Sequence, residues 1–162
     1  MGRAGADPRA ADQYRLCPAS ESLTEECFSR TPLEFATRRH TLEYSNSSNP
    51  ENVETIVING TYVSDGTLPR GSTWARNPLP YSNAQSAPQF APPCEETIDR
   101  TKSDTGRCSG RDPYNTLIAD ELRVPAMLAP GKYVLGIRWD CEKSAQVWTN
   151  CADIEVAVAA AA

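Results

Sequence analysis

The chain has 162 residues, enough for one domain with a core of its own. Hydrophobic residues make up 40% but aromatics only 7%, and 13 prolines with 9 glycines break the chain so often that short strands joined by irregular loops fit better than long helices. The formal charge of −5 comes without a concentrated basic tract, so nucleic acid and anionic membrane surfaces are excluded as expected partners, and no apolar run approaches the roughly 18 residues of a spanning helix.

Residues 1–13 read as an irregular N-terminal segment, because Met1 to Leu16 lacks the apolar stretch of a signal peptide. Ser22-Leu23-Thr24-Glu25 matches a capping box ahead of Glu26-Cys27-Phe28 and predicts a single helical turn, kept short by Pro32. Arg38-Arg39-His40 is the densest basic spot and reads as a solvated loop or strand edge. Asn52 to Ile58 is rich in β-branched residues, Asn59-Gly60 is a turn signal, and Thr61-Tyr62-Val63 resumes the extended pattern, which together predict a hairpin. Between Pro69 and Pro130 lie nine of the 13 prolines and little periodicity, as expected of one long excursion from the core. Gly131 to Asp140 is the clearest strand, half-buried, with Tyr133, Leu135, Ile137 and Trp139 alternating onto a core face. Cys151 to Val158 follows as a second strand with Ile154, Val156 and Val158 on one side, and residues 159–162 form a tail.

The six cysteines, Cys17, Cys27, Cys94, Cys108, Cys141 and Cys151, include no C-x-x-C pair of the zinc or thioredoxin kind, so disulfides are expected. Cys17/Cys27 and Cys141/Cys151 each have nine residues between them and Cys94/Cys108 has thirteen, so three local bridges are sterically easy, among other pairings that stay open. Asn46-Ser47-Ser48 and Asn59-Gly60-Thr61 fit the N-glycosylation acceptor pattern and agree with an oxidising, extracellular setting. Hydrolytic chemistry is not expected. His40 is the single imidazole and no G-x-S-x-G elbow accompanies it, while the carboxylate pairs Glu25-Glu26 and Glu95-Glu96 read as solvated loop charges.

Three stretches carry a family resemblance: Leu16-Cys17 followed by Leu23-Thr24-Glu25-Glu26-Cys27-Phe28, then Leu135-Gly136-Ile137-Arg138-Trp139-Asp140-Cys141, then Gln146-Val147-Trp148-Thr149-Asn150-Cys151-Ala152-Asp153-Ile154. In that order the chain resembles the lytic polysaccharide monooxygenases, closest to their chitin-binding type-4 branch, over Tyr14 to Val158. The resemblance implies an all-β, immunoglobulin-like or fibronectin-like β-sandwich with long disulfide-stapled loops at 14–158, secreted, acting on chitin or a related β-linked glycan. In the family two histidines, one of them N-terminal, hold a copper ion through three nitrogens, a donor set suited to that metal. An aromatic fills the axial side and a glutamine or glutamate orients the oxygen species. Residue matching assigns Trp148 to the axial place and Gln146 to the orienting one.

The departures are specific. Met1 is not histidine, the place matching the inner-strand histidine falls near Pro8-Arg9, where there is none, and His40 lies well downstream, so no copper is expected on this chain. The expectation is that an N-terminal portion carrying the ligands lies upstream of Met1, or that the chain is a copper-free polysaccharide-binding or structural module. Without copper, Trp148 is expected to be a core aromatic packed beside a Cys151 disulfide, Gln146 a hydrogen-bonded loop residue, and His40 a surface or strand residue.

Overall fold

The computed structural model describes residues 11–46, 48–78, 114–141 and 145–157. The fold is mostly β, with antiparallel sheets and one short helix. The chain divides into two compact units, one from residues 1–36, 61–76 and 122–162, the other from 37–60 and 77–121.

In chain order the elements are β1 (Ala11–Pro18), α1 (Glu25–Ser29), β2 (Glu34–Phe35), β3 (Arg39–Asn46), β4 (Asn49–Asn59), β5 (Tyr62–Val63), β6 (Trp74–Arg76), β7 (Tyr114–Ala119), β8 (Leu122–Arg123), β9 (Gly131–Asp140) and β10 (Val147–Val156). The first unit holds a five-stranded sheet in the order β10-β9-β1-β6-β5 and the small β2–β8 ribbon. β1 starts at Ala11, inside the segment expected to be irregular, and pairs with β9 from Ala11↔Asp140 to Pro18↔Tyr133. Alternation puts Tyr14 and Leu16 of β1 on one face with Tyr133, Leu135, Ile137 and Trp139 of β9. There Leu16, Leu33 and Tyr133 form a core joined by Leu122, Leu128, Leu135, Ile154 and Val156. Phe35 packs edge-on between Tyr14 and Tyr62, with ring centroids 5.8 and 4.9 Å away.

β9 has the predicted bounds, but it is covered on both faces rather than one: Val134, Gly136 and Asp140, opposite the core face, are buried as well. Over Gly136 the cover is α1, whose Phe28 ring lies against it. A disulfide between Cys17 on β1 and Cys27 on α1, Cα atoms 5.5 Å apart, fixes the helix to the sheet. The cap of α1 is Thr24, not Ser22: its side chain accepts the Cys27 N–H at 3.2 Å. The two-residue shift leaves Glu25 in the first turn, free to reach arginines on the sheet below.

The second unit is the three-stranded sheet β4-β3-β7. Its core face carries Leu42 and Ile58 with Ile56 and Ile118. The hairpin expected across Asn59-Gly60 does not form. β4 pairs with β3 from Arg39↔Asn59 to Asn46↔Asn49, whereas β5 pairs with β6 in the other unit. Gly60 donates its N–H to the Arg38 carbonyl at 3.0 Å and lacks the positive φ that a type I′ turn demands. The stretch from Pro69 to Pro130 also holds β6, β7 and β8, so it is not a single excursion; its residues 79–113 lie outside those described.

Candidate functional site

The face of the five-stranded sheet beneath α1 carries a chain of charges. Arg15 on β1 donates to Glu25 Oε1 at 2.6 Å, and Arg138 on β9 donates to the same oxygen at 2.5 Å. Arg138 also grips Asp140 with two parallel bonds of 2.7 and 3.0 Å, and its guanidinium lies 5.8 Å from the Trp74 ring centroid. The hydrogen bond from Arg15, with that from Arg138, holds the Glu25 carboxyl below the usual glutamate range despite partial burial. The Asp140 carboxylate, followed by Glu25, raises Arg138 against the cost of its own desolvation. Two guanidiniums and two carboxylates balance here, so the layer fastens α1 and leaves no excess charge for an anionic ligand. Glu25 is exposed, as Glu26 is, but it stands in α1 and is paired with two arginines rather than being an unpartnered loop charge; Glu95 and Glu96 lie outside the described residues.

The opposite face ends at β10, the edge of the sheet. Register sets Trp148 directly across from Trp139, Asn150 from Ile137 and Ala152 from Leu135. Trp139 is half-buried, with its ring nitrogen buried and unpartnered among the described residues. Trp148 is 57% exposed and its neighbour Val147 48%. The expectation of a core tryptophan beside a Cys151 bridge therefore fails on both counts. An edge strand has one neighbour, and the core under Tyr133 and Leu16 does not extend as far as the Trp148 end of β10.

Cys141 and Cys151 are not joined. Cys141 donates its N–H to Gln146 at 3.0 Å, whereas Cys151 is opposite Gly136, five positions further along β9. At about 3.4 Å per residue that separation is far beyond the ~7 Å limit for a disulfide. Closeness in sequence misleads because a tight hairpin aligns residues symmetric about its turn, and these two are not. Cys94 and Cys108 lie outside the described residues. Gln146 is exposed and its carbonyl closes the β9–β10 turn, so it serves as a hydrogen-bonded loop residue. Asn59 is exposed at the end of β4, as glycosylation requires, while the Asn46 side chain is not among those described.

His40 is not on the surface. It sits on β3, 1% exposed, with Nδ1 2.5 Å from Asp120 Oδ1, itself 3% exposed. Sequence reading singled out the histidine but missed Asp120, eighty residues away, because nothing local marks the pair. This donor set does not fit a copper brace: there is one imidazole, one of its nitrogens is taken by a carboxylate, and it belongs to a different unit from Trp148 and Gln146. Among the described residues no three His, Cys, Asp or Glu side chains converge as a metal site, and no helix is long and apolar enough to cross a membrane. Compared with protein-family models, curated proteins and solved structures, the chain matches none of them.

Proposed function

We propose that this chain is a secreted β-sandwich module, kin in its motifs to the lytic polysaccharide monooxygenases and chitin-binding type-4 domains, that binds chitin or a cellulose-like glycan through Trp148 without copper chemistry. One observation carries the reading: a tryptophan more than half exposed on a sheet face, with the exposed Asn150 two residues along the same face. A large ring held in water by a regular strand offers its apolar surface to a partner with apolar faces and polar edges, which describes a pyranose polymer. The Cys17–Cys27 bridge and the exposed Asn59 acceptor agree with an oxidising, extracellular setting.

The test is depletion of the purified chain by insoluble chitin and by cellulose. Wild type is expected to leave the supernatant and Trp148→Ala to stay, with the same unfolding midpoint. Equal behaviour of the two proteins, or no depletion by either glycan, overturns the glycan reading. Oxidised oligosaccharides released with ascorbate and copper would overturn its copper-free part.

A further inference from the structure

β10 is ten residues long, runs at the edge of its sheet, and has no strand beyond it among the described residues. Residues 147–153 are all exposed, although both faces of the neighbouring β9 are covered. The direction of each backbone group along this edge follows from one bond. Cys141 N–H reaches the Gln146 carbonyl, so 141/146 is a hydrogen-bonded pair, and antiparallel alternation makes Trp148, Asn150, Ala152 and Ile154 the residues that bond to β9. The outward groups then belong to Val147, Thr149, Cys151, Asp153 and Glu155. Consistent with this, the Cys151 N–H does not donate to β9 and instead donates to the side-chain Oδ1 of its neighbour Asn150 at 2.8 Å. Such an edge is a template for another strand.

We infer that the occupant is a second copy of this chain, paired antiparallel β10 to β10 about a two-fold axis at Cys151. The side chains select this register. With Cys151 opposite Cys151 of the other copy, Thr149 meets Asp153 and Val147 meets Glu155, so every outward-pointing residue finds an outward-pointing partner. On the other face Trp148 meets Ile154 and Asn150 meets Ala152. No carboxylate opposes a carboxylate, a condition that the register centred on Asp153 violates. Registers centred on Asn150 or Ala152 leave one end of the outward set unused. The Asn150–Cys151 bond is local and gives way to an interstrand one as the edges join. Two five-stranded sheets become one continuous sheet, which closes both long edges at once.

Sedimentation over a dilution series tests the association, and it needs no glycan, so its failure is separable from that of the polysaccharide reading. Wild type is expected to dimerise reversibly. Thr149→Pro removes an outward N–H and no β9 bond, and is expected to weaken the dimer at least tenfold. Thr149→Lys with Asp153→Lys, both at exposed positions, sets lysines against lysines and has the same expected effect should the proline variant not fold. For register, a short bis-methanethiosulfonate is expected to link Cys151 to Cys151 in a Cys141→Ser background. Once Cys151 is also changed to Ser, Thr149→Cys is expected not to link to itself but to link to Asp153→Cys on the other copy. A chain that stays monomeric at millimolar concentration overturns the proposal. So does a dimer indifferent to both edge variants, or one whose cross-links follow another register.

Discussion

Gly136 is the residue at which the packing of α1 on the sheet is most sharply tested. A methyl group there would sit 2.9 Å from Phe28 Cε1, 3.1 Å from Cδ1 and 3.4 Å from Cζ, inside normal carbon–carbon contact. The backbone of Gly136 has no positive φ, so alanine is conformationally allowed, and without Phe28 the exchange would gain about 0.5–1 kcal/mol from reduced chain entropy. The ring decides the sign. It cannot retreat freely, because the adjacent Cys27 is tied to Cys17 and the Arg15 guanidinium lies 5.6 Å from the ring centroid. Overpacking of this kind costs about 1–3 kcal/mol, which outweighs the entropic gain. Gly136→Ala is therefore expected to destabilise by roughly 1–2 kcal/mol, a fall in Tm of roughly 2–8 °C for a chain of this length. Urea unfolding followed by circular dichroism measures it. In a cycle with Phe28→Ala the alanine at 136 is expected to become neutral or favourable. Gly136→Ala at least as stable as wild type, or a loss that does not depend on residue 28, would refute the reasoning.

Replacing Cys17 and Cys27 together by alanine opens a loop closed over a sequence separation of 10, and the chain-entropy relation puts the loss at about 2.5–3 kcal/mol, readable as the shift in urea midpoint. Asp120→Ala leaves a buried His40 nitrogen without its carboxylate and is expected to cost about 2–4 kcal/mol by the same assay, with Asp120→Asn, which keeps an acceptor, costing less. Glu25 ionises more readily folded than unfolded, because Arg15 and then Arg138 bond its carboxylate. Its contribution is therefore complete above the ordinary glutamate range and fades as pH falls through the lowered folded value. The Tm difference between wild type and Glu25→Gln should be flat near neutrality and shrink in acid; a difference that grew on acidification would contradict the assignment.

What local pattern can report, it reported well. Tyr133, Leu135, Ile137 and Trp139 alternate strictly, and β9 has the predicted ends. The helical turn at Glu25–Ser29 follows from a cap, two acidic residues and the block at Pro32, with the cap itself displaced to Thr24. The period of β3 is present in the sequence, His40, Leu42 and Tyr44 alternating with Arg39, Thr41, Glu43 and Ser45, but the two arginines at its start mask it as a charged spot. The failures share a cause, which is that pairing partners are set by the whole sheet. Asn59-Gly60 looks like a hairpin turn, yet β4 spends its hydrogen bonds on β3, and β5 has only two residues to offer. Cys141 and Cys151 have the spacing of a bridge but the register of a ladder.

Trp148 shows how far local pattern reaches. Within Val147 to Val156, the first seven residues place Trp, Asn and Ala on one face and Val, Thr, Cys and Asp on the other, so neither face is continuously apolar. A strand buried on one side needs such a face, and its absence signals an edge in water more than a wall of the core. Residue type and the cysteine three residues on suggest a core position for Trp148, whereas the composition of the two faces places it outside. The same arrangement explains why one strand carries both proposals. The face of β10 that bears Trp148 is exposed to a flat ligand because the hydrophobic core ends toward Tyr133, and its backbone edge is open because β10 is last in the sheet. One is made of side chains and the other of N–H and C=O groups. Edge pairing would leave the Trp148 rings of both copies on the same face of one continuous sheet, so glycan binding and self-association are geometrically compatible, and Thr149→Pro is expected to lose the second while keeping the first.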